Sequence, residues 1–397
     1  MLPDSKLTIL HTEASNGWGG QEIRILSEAE WFRDQGYRII LANPQNGQLN
    51  AKARARGFEV FDIPFEKKTQ LRDFFRVRKL IQDHKPDVIG THSSVDSWVG
   101  LLAASLCRVP CRLRYRHVST PVYNNPFNRF QYTSLCDRII TTGECISGPL
   151  CESFHLSKEK VRTIFTGIDV PTTLPDRNDS RIALAQELHL PSSSRFVGMV
   201  AVLRSWKGHA YLIEAFDQIA DQFPAHHLIL AGNGPQSHLQ TQIDACRHND
   251  RIHLIGHREN PWMVFRALDV AVLSSFKNEG IPQTGLQAMF AETPFIGTTV
   301  GGIPEIIENM KTGVLVAPSD ATALADGLKT LLTDSNLRKE IASQALHFAN
   351  SNATMDICGK AVECLITSVL KVQNTFLAQA AKSTSHACGQ KIEPHVY

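Results

Sequence analysis

Twice along its length this chain alternates short apolar runs with helix-length amphipathic stretches, and the alternation breaks once, between Pro171 and Ser180. In the first half the strand-length runs are Leu7–Leu10, Arg38–Ala42, Val88–Thr91, Arg112–Tyr115 and Arg138–Thr141. Between them Gln21–Gln35, Gln70–His84 and Ser97–Cys107 have helical spacing. Strand–helix alternation of this kind predicts a parallel sheet covered on both faces by crossover helices. The break, PTTLPDRNDS, is polar and Pro-bearing and reads as a linker. The pattern then restarts with Arg195–Ala201, His227–Ala231, Ile252–Ile255, Val270–Ser274, Phe295–Thr298 and Val314–Ala317. The expected fold is α/β, with two doubly wound domains facing each other across a cleft. Their bounds are 1–170 and 195–350, joined by a linker and first helix over 171–194. A C-terminal helix over 351–380, crossing back to the first domain, and a flexible tail over 381–397 complete the prediction.

Composition narrows the function. With 397 residues, 43% hydrophobic and 20% charged, the chain suits a globular protein. A net charge of +2 gives no reason to expect nucleic acid. Residues 1–170 hold 23 Lys+Arg against 18 Asp+Glu, so the first half is mildly basic, which suits either surface scatter or proximity to anionic lipid. Nine cysteines without paired metal-ligand spacing are expected to be free thiols in a reducing compartment. The opening MLPDSKLTILHTE lacks a basic segment followed by an apolar one, and no apolar run approaches the ~20 residues of a spanning helix. A cytoplasmic protein is expected, peripheral to the inner membrane face at most. The basic amphipathic stretch Lys67–Lys85 is either a core-covering helix or that membrane contact.

In doubly wound sheets ligands sit beyond the carboxyl ends of strands, so the loops there carry the chemistry. After the first strand, Gly19-Gly20 opens a helix, either as a tight turn or as a backbone cradle for an anion. Past the strand at 195–201, Arg204 and Lys207 stand three apart and suit a diphosphate: a planar fork and a compact point charge. Gly232-Asn233-Gly234-Pro235 is a second glycine turn. Glu279-Gly280-Ile281-Pro282-Gln283 follows the strand at 270–274, with a helix starting at about Pro282 and Gln287 inside it. The last turn is Val300-Gly301-Gly302-Ile303-Pro304-Glu305. His92-Ser93 with Asp96 suggests a hydrolase triad, but no nucleophile elbow accompanies it. His226, His227, His253 and His257 lack acidic partners at metal-ligand spacing.

Arg-x-x-Lys-Gly, Gly-Asn-Gly-Pro, Glu-Gly-x-Pro and Val-Gly-Gly-x-x-Glu, in this order, resemble the family 4 retaining glycosyltransferases of GT-B fold, whose two domains are Rossmann-like. Thr91-His92-Ser93, Arg116-His117 and Phe165-Thr166-Gly167-Ile168-Asp169 resemble that family's first-domain strand ends. The resemblance implies that Arg204 and Lys207 bind a nucleotide-sugar's diphosphate and that Glu279 contacts the transferred sugar. It also implies that Gly280, Ile281, Pro282 and Gln283 offer nearby backbone amides, and that Gly19, Gly20, Gly232, Asn233 and Gly234 line the donor. His117 would face the reacting sugar. The implied catalytic set is His117, Glu279, Arg204 and Lys207, with no metal and no cofactor. The family places Glu where this chain has Gln287, which keeps an acceptor for a ribose hydroxyl but loses a charge-assisted bond, about 1–2 kcal/mol. The partners implied are a UDP-sugar and a glycan or lipid-linked acceptor, of the kind met in lipopolysaccharide or surface-polysaccharide assembly. A nucleotide-sugar epimerase of the same fold and a catalytically silent nucleotide-binding protein are the alternatives.

Overall fold

The computed structural model describes the backbone of residues 7–387 and the side chains of residues 7–372. The N-terminal domain runs β1 (Thr8–Thr12), α1 (Gly20–Asp34), β2 (Arg38–Asn43), α2 (Gln48–Ala55), β3 (Glu59–Asp62), α3 (Gln70–His84), β4 (Val88–Thr91), α4 (Ser94–Leu106), β5 (Cys111–Arg116), α5 (Pro126–Phe130), β6 (Arg138–Thr141), α6 (Glu144–Phe154) and β7 (Val161–Thr163). After α7 (Arg177–Glu187) the C-terminal domain runs β8 (Arg195–Val200), α8 (His209–Ile219), β9 (His226–Ala231), α9 (Ser237–Asp244), β10 (Ile252–Gly256), α10 (Trp262–Ala267), β11 (Val270–Leu273), α11 (Gln283–Phe290), β12 (Phe295–Thr298), α12 (Ile303–Ile306) and β13 (Val314–Val316). Three helices follow: α13 (Ala321–Thr333), α14 (Ser335–Asn352) and α15 (Met355–Ala387).

The first sheet has the order β3-β2-β1-β4-β5-β6-β7 and the second β10-β9-β8-β11-β12-β13. Every strand pairing in both is parallel. The two domains are therefore wound alike, and each reverses its strand order once, between β1 and β4 and between β8 and β11. Those reversals open the crevices in which ligands of such sheets lie. The central strands are buried on both faces: Ile39 to Ala42 and Phe196 to Met199 include no exposed residue. α8 shows how a helix covers the sheet. Its Leu212, Ile213, Ala215, Phe216 and Ile219 are fully buried, at ~1.5–3 kcal/mol for each large side chain.

Two predicted boundaries move. Asp176 caps α7 by accepting from the Asn178 and Asp179 amides, so the polar stretch read as linker already contains a helix start. α15 continues to Ala387, so residues 381–387, read from sequence as flexible tail, are helical; the rest of that tail lies outside the described residues. α15 lies on the N-terminal domain. Its Cys358, Val362, Leu365 and Ile366 share a core with Ile25, Ala29 and Trp31 of α1, and a Cβ at Gly359 would stand 2.4 Å from the Trp31 ring. Tyr37 donates to Glu363 Oε1 at 2.6 Å across the same contact. No described helix is long and apolar enough to cross a membrane.

Candidate active site

The C-terminal wall of the cleft is set by glycines that let loops touch backbone. Gly208 has φ +79°, and a Cβ there would lie 1.9 Å from the Ser274 carbonyl oxygen. The Arg204–Gly208 turn after β8 is thus pressed onto the end of β11, where Ser274 Oγ donates to Gly208 O at 2.8 Å. This aims Lys207 at the loop beyond β11. Its Nζ lies 2.6 Å from Glu279 Oε1, which also accepts from Ser275 Oγ at 2.5 Å. The two charged side chains are 19% and 6% exposed, so the pair is largely shielded from water. Arg204 is exposed at the rim, its guanidinium carbon 5.1 Å from the Trp206 ring centroid, with no ion-pair partner among the described residues.

The other glycine turns brace this arrangement. A Cβ at Gly232 would lie 1.8 Å from Ala201 O, and Asn233 O accepts the Leu203 amide at 2.8 Å. Gly232, Asn233 and Gly234 therefore support the turn that leads to Arg204, and the glycines spend their missing Cβ on the protein's own backbone. Gly301 (φ +57°) and Gly302 lie beneath the Glu279–Gly280 peptides in the same way, at 2.2 and 2.8 Å. Ile281 and Pro282 are buried, and Pro282 caps α11, which begins one residue later than predicted. Gln287 is half-buried in α11, and its side chain makes no hydrogen bond to protein among the described residues.

The N-terminal wall meets this loop directly. Gly19, extended, precedes α1 and gives its amide to Glu22 Oε2 at 2.8 Å. The Gly20 carbonyl accepts from Gln283 Nε2 at 2.6 Å, so the positive N-termini of α1 and α11 converge. His117 follows β5, and its carbonyl would be 2.6 Å from a Cβ at Gly280. Glu305 closes a second clasp between the domains by accepting the Glu144 and Cys145 amides at the start of α6, at 2.6 and 2.7 Å. His117, Lys207, Glu279, Gly280, Gly20 and Gln283 are thus brought together. Arg204 stands exposed at the rim, and Gly232–Gly234 pack against the turn that leads to it.

Burial, followed by the positive charges of Arg24, Arg114 and Arg116, holds His117 well below the usual histidine range. His209, next to the Arg204–Gly208 turn, is pushed down to about 4 by burial and by Lys207. Asp96 is no triad member. It accepts the His92 and Ser93 amides and the Thr12 hydroxyl at 2.7–2.9 Å, which caps α4, and burial beside Glu13 raises it to about 8. Sequence reasoning missed three contributors: His11, Glu13 and the clasp made by Glu305. The available signal was the polar run His11-Thr12-Glu13 at the end of an otherwise apolar strand, at the sheet's order reversal.

The arrangement offers a fixed ammonium, an exposed guanidinium, two helix N-termini and a neutral imidazole, which together suit an anionic ligand carrying hydroxyls. Comparison with known proteins agrees. The family model for glycosyl transferases group 1 matches residues 180–348, and that for glycosyltransferase family 4 matches residues 18–171. The chain is 25% identical over 372 residues to a D-inositol 3-phosphate glycosyltransferase of Corynebacterium glutamicum, covering 84% of this chain and 88% of that one. Its fold superposes on a Rickettsia africae glycosyltransferase with a TM-score of 0.81 at 20% identity, over 92% and 99% of the two chains. It superposes on Anabaena HepE, solved in complex with UDP-glucose, with a TM-score of 0.76 at 21% identity, over 91% and 100%. The two sheets, the cleft and these matches make the chain a glycosyltransferase of GT-B fold, with a family 4 domain at its N-terminus and a group 1 domain at its C-terminus.

Proposed function

We propose that this glycosyltransferase moves a sugar from a uridine diphosphate donor to a hydroxyl of a glycan or lipid-linked acceptor in cell-envelope polysaccharide or lipopolysaccharide synthesis, with retention and without a divalent metal. The observation that carries the reading is the 2.6 Å Lys207–Glu279 pair facing His117 where two helix N-termini converge. Lys207, Arg204 and the start of α11 meet the charge that grows on a departing diphosphate, which is the role a metal would otherwise fill. Uridine is supported by the complex of HepE with UDP-glucose.

Retention is what the family resemblance implies, and the way the cleft carboxylates are engaged bears on its route. Glu279 is bound by Lys207 and Ser275, Glu22 by the Gly19 amide, and Glu13 by Ser15, Gln21 and Ser93. Each is thereby held in place by protein groups, which favours a route without a covalent glycosyl-enzyme. A same-face displacement fits: the bond from that carbon to the phosphate oxygen breaks, the acceptor oxygen bonds to it, and the acceptor proton passes to the leaving phosphate.

A lipid-linked acceptor is supported by the outer surface of the N-terminal domain. α3 buries Val77, Leu80 and Ile81 yet exposes Leu71 and Phe75, flanked by Arg72 and Arg76, with Phe127 exposed on α5. Cosedimentation with vesicles containing anionic lipid tests this. Binding that is lost in the Leu71→Glu, Phe75→Glu double variant supports it, and no binding by the wild type contradicts it. Turnover of UDP-glucose, UDP-galactose and UDP-N-acetylglucosamine against envelope glycolipids, with the product anomer read by NMR, tests the transfer. An inverted product, or conversion of donor alone to an epimer, would replace the reading.

A further inference from the structure

β1, β4 and β5 are neighbours, and their carboxyl ends place three histidines on one face. The register sets His11 opposite Gly90 and Gly90 opposite Leu113. Side chains alternate along a strand, so His92 lies on the Gly90 face and Tyr115 and His117 on the Leu113 face, all alongside His11. Gly90 makes the room: a Cβ there would sit 2.9 Å from His11 Nδ1 and 3.1 Å from Tyr115 Cε2. Across that gap His11 Nδ1 is 3.0 Å from His92 Nε2, and His92 Nδ1 is 2.9 Å from His117 Nε2. His92 stacks on Tyr115 with centroids 4.4 Å apart, and the Tyr115 hydroxyl donates to Glu28, which is ion-paired with Arg24 at 3.4 Å. A hydrogen-bonded line of imidazoles thus runs from the core to the cleft.

Each hydrogen bond in the line needs one N–H and one lone pair. Burial holds all three rings below the usual histidine range, so each is neutral and has a single N–H. Because His92 has only one hydrogen to give, the two bonds must run in the same direction. In one direction His11 is left with its hydrogen on Nε2, which is buried without a protein partner. In the other direction Nε2 keeps only an unpaired lone pair. Orphaned buried N–H groups are the rarer of the two in folded proteins, so the second direction is preferred.

We propose that His11 and His92 are positioning residues that fix His117 as an N–H donor toward the cleft. His11 Nδ1–H donates to His92 Nε2, His92 Nδ1–H donates to His117 Nε2, and His117 carries its hydrogen on Nδ1. The ligand atom this suits is an oxygen with free lone pairs, a sugar hydroxyl or a phosphate oxygen. A ring set this way has no lone pair facing the cleft and does not take the acceptor's proton. The proposal rests on the cleft being the transfer site.

Long-range 1H–15N correlation on the full-length protein labelled with 15N-histidine, unliganded, reads the tautomers directly. We expect a protonated Nδ1 and an unprotonated Nε2 at His117 from pH 6 to 8, assigned by loss of the signals in His117→Ala. The reverse pattern, or an imidazolium, overturns the proposal. His11→Phe fills the space without a donor, whereas His11→Asn returns an N–H near the position of Nδ1. The Phe variant should mix the His117 tautomers and lower kcat about tenfold at unchanged donor KM, and the Asn variant should recover most of both. Equal loss in the two variants overturns the positioning role. The tautomer reading needs no turnover, so it decides the proposal even if His117→Ala transfers sugar normally, which would instead overturn the reading of the cleft.

Discussion

Lys207 Nζ lies 2.6 Å from Glu279 Oε1, which ties the turn after β8 to the loop after β11 where their sheet reverses its order. An ammonium has three N–H donors. Glu279 takes one, which leaves two for a ligand. Glu279 is itself 4% exposed, and Lys207 and Ser275 are the partners that satisfy its carboxylate in the cleft.

Lys207→Met should therefore fail twice. Loss of a preorganised cation should lower kcat about 10²–10³-fold. Leaving Glu279 buried with only Ser275 should also lower the melting temperature. Adding Glu279→Gln should restore the melting temperature but not the rate. Steady-state kinetics and differential scanning calorimetry on both variants check this.

Gly280→Ala probes the contact between domains. The added Cβ would meet the His117 carbonyl at 2.6 Å, so the walls must part. A misplacement of about an ångström at a reacting centre costs on the order of 10²-fold in rate. We expect that loss in kcat/KM together with a larger radius of gyration in small-angle scattering, and near-native unfolding of each domain.

The fold was largely legible in the sequence, for a physical reason. Strands buried on both faces, such as Ile39–Ala42, read as unbroken apolar runs. β3 and β7 escaped because Glu59–Asp62 and Val161–Thr163 are short, partly exposed and interrupted by charged or polar residues, so they leave no such run, whereas the edge strands β10 and β13 keep one. At the site, Arg204, Lys207 and Glu279 stood out as charges at strand ends. The imidazole line did not, because its members come from three separated strand ends and meet only through sheet order and the missing Cβ of Gly90. At Gly232 and Gly234 a second reason for glycine was hidden: one that clears space for a ligand and one that clears space for Ala201 O or Leu203 O look identical in sequence.

His209 gives a pH dependence of definite sign. Its folded value, about 4, lies below the ordinary 6.5, so between these the unfolded chain holds a proton that the folded chain does not. Its contribution to stability is complete above pH 6.5 and is lost as pH falls toward 4, by at most about 1.4 kcal/mol per pH unit. Asp96, raised by burial beside Glu13, acts with the opposite sign over pH 4 to 8, so the comparison must be made by difference. Urea titrations at pH 7.5, 6.5, 5.5 and 4.5 should show the wild type losing stability faster than His209→Asn.

Gln287→Glu tests the one departure from the family pattern. Restoring a carboxylate where the resemblance implies contact with ribose hydroxyls should tighten UDP binding by about 1–2 kcal/mol, five- to thirtyfold by calorimetric titration, with kcat changed little.

Melting temperatures of the wild type, Arg204→Ala and Lys207→Met, measured with UDP, GDP or ADP in the presence of EDTA, address metal-free diphosphate binding itself. A ligand at a hundredfold its dissociation constant adds about 2.7 kcal/mol of apparent stability. We expect UDP to raise the wild-type melting temperature with EDTA present, and the rise to vanish in both variants. No shift with any nucleotide, or a shift that appears only when a divalent metal replaces EDTA, would contradict the assignment of Lys207 and Arg204 as the groups that hold the donor.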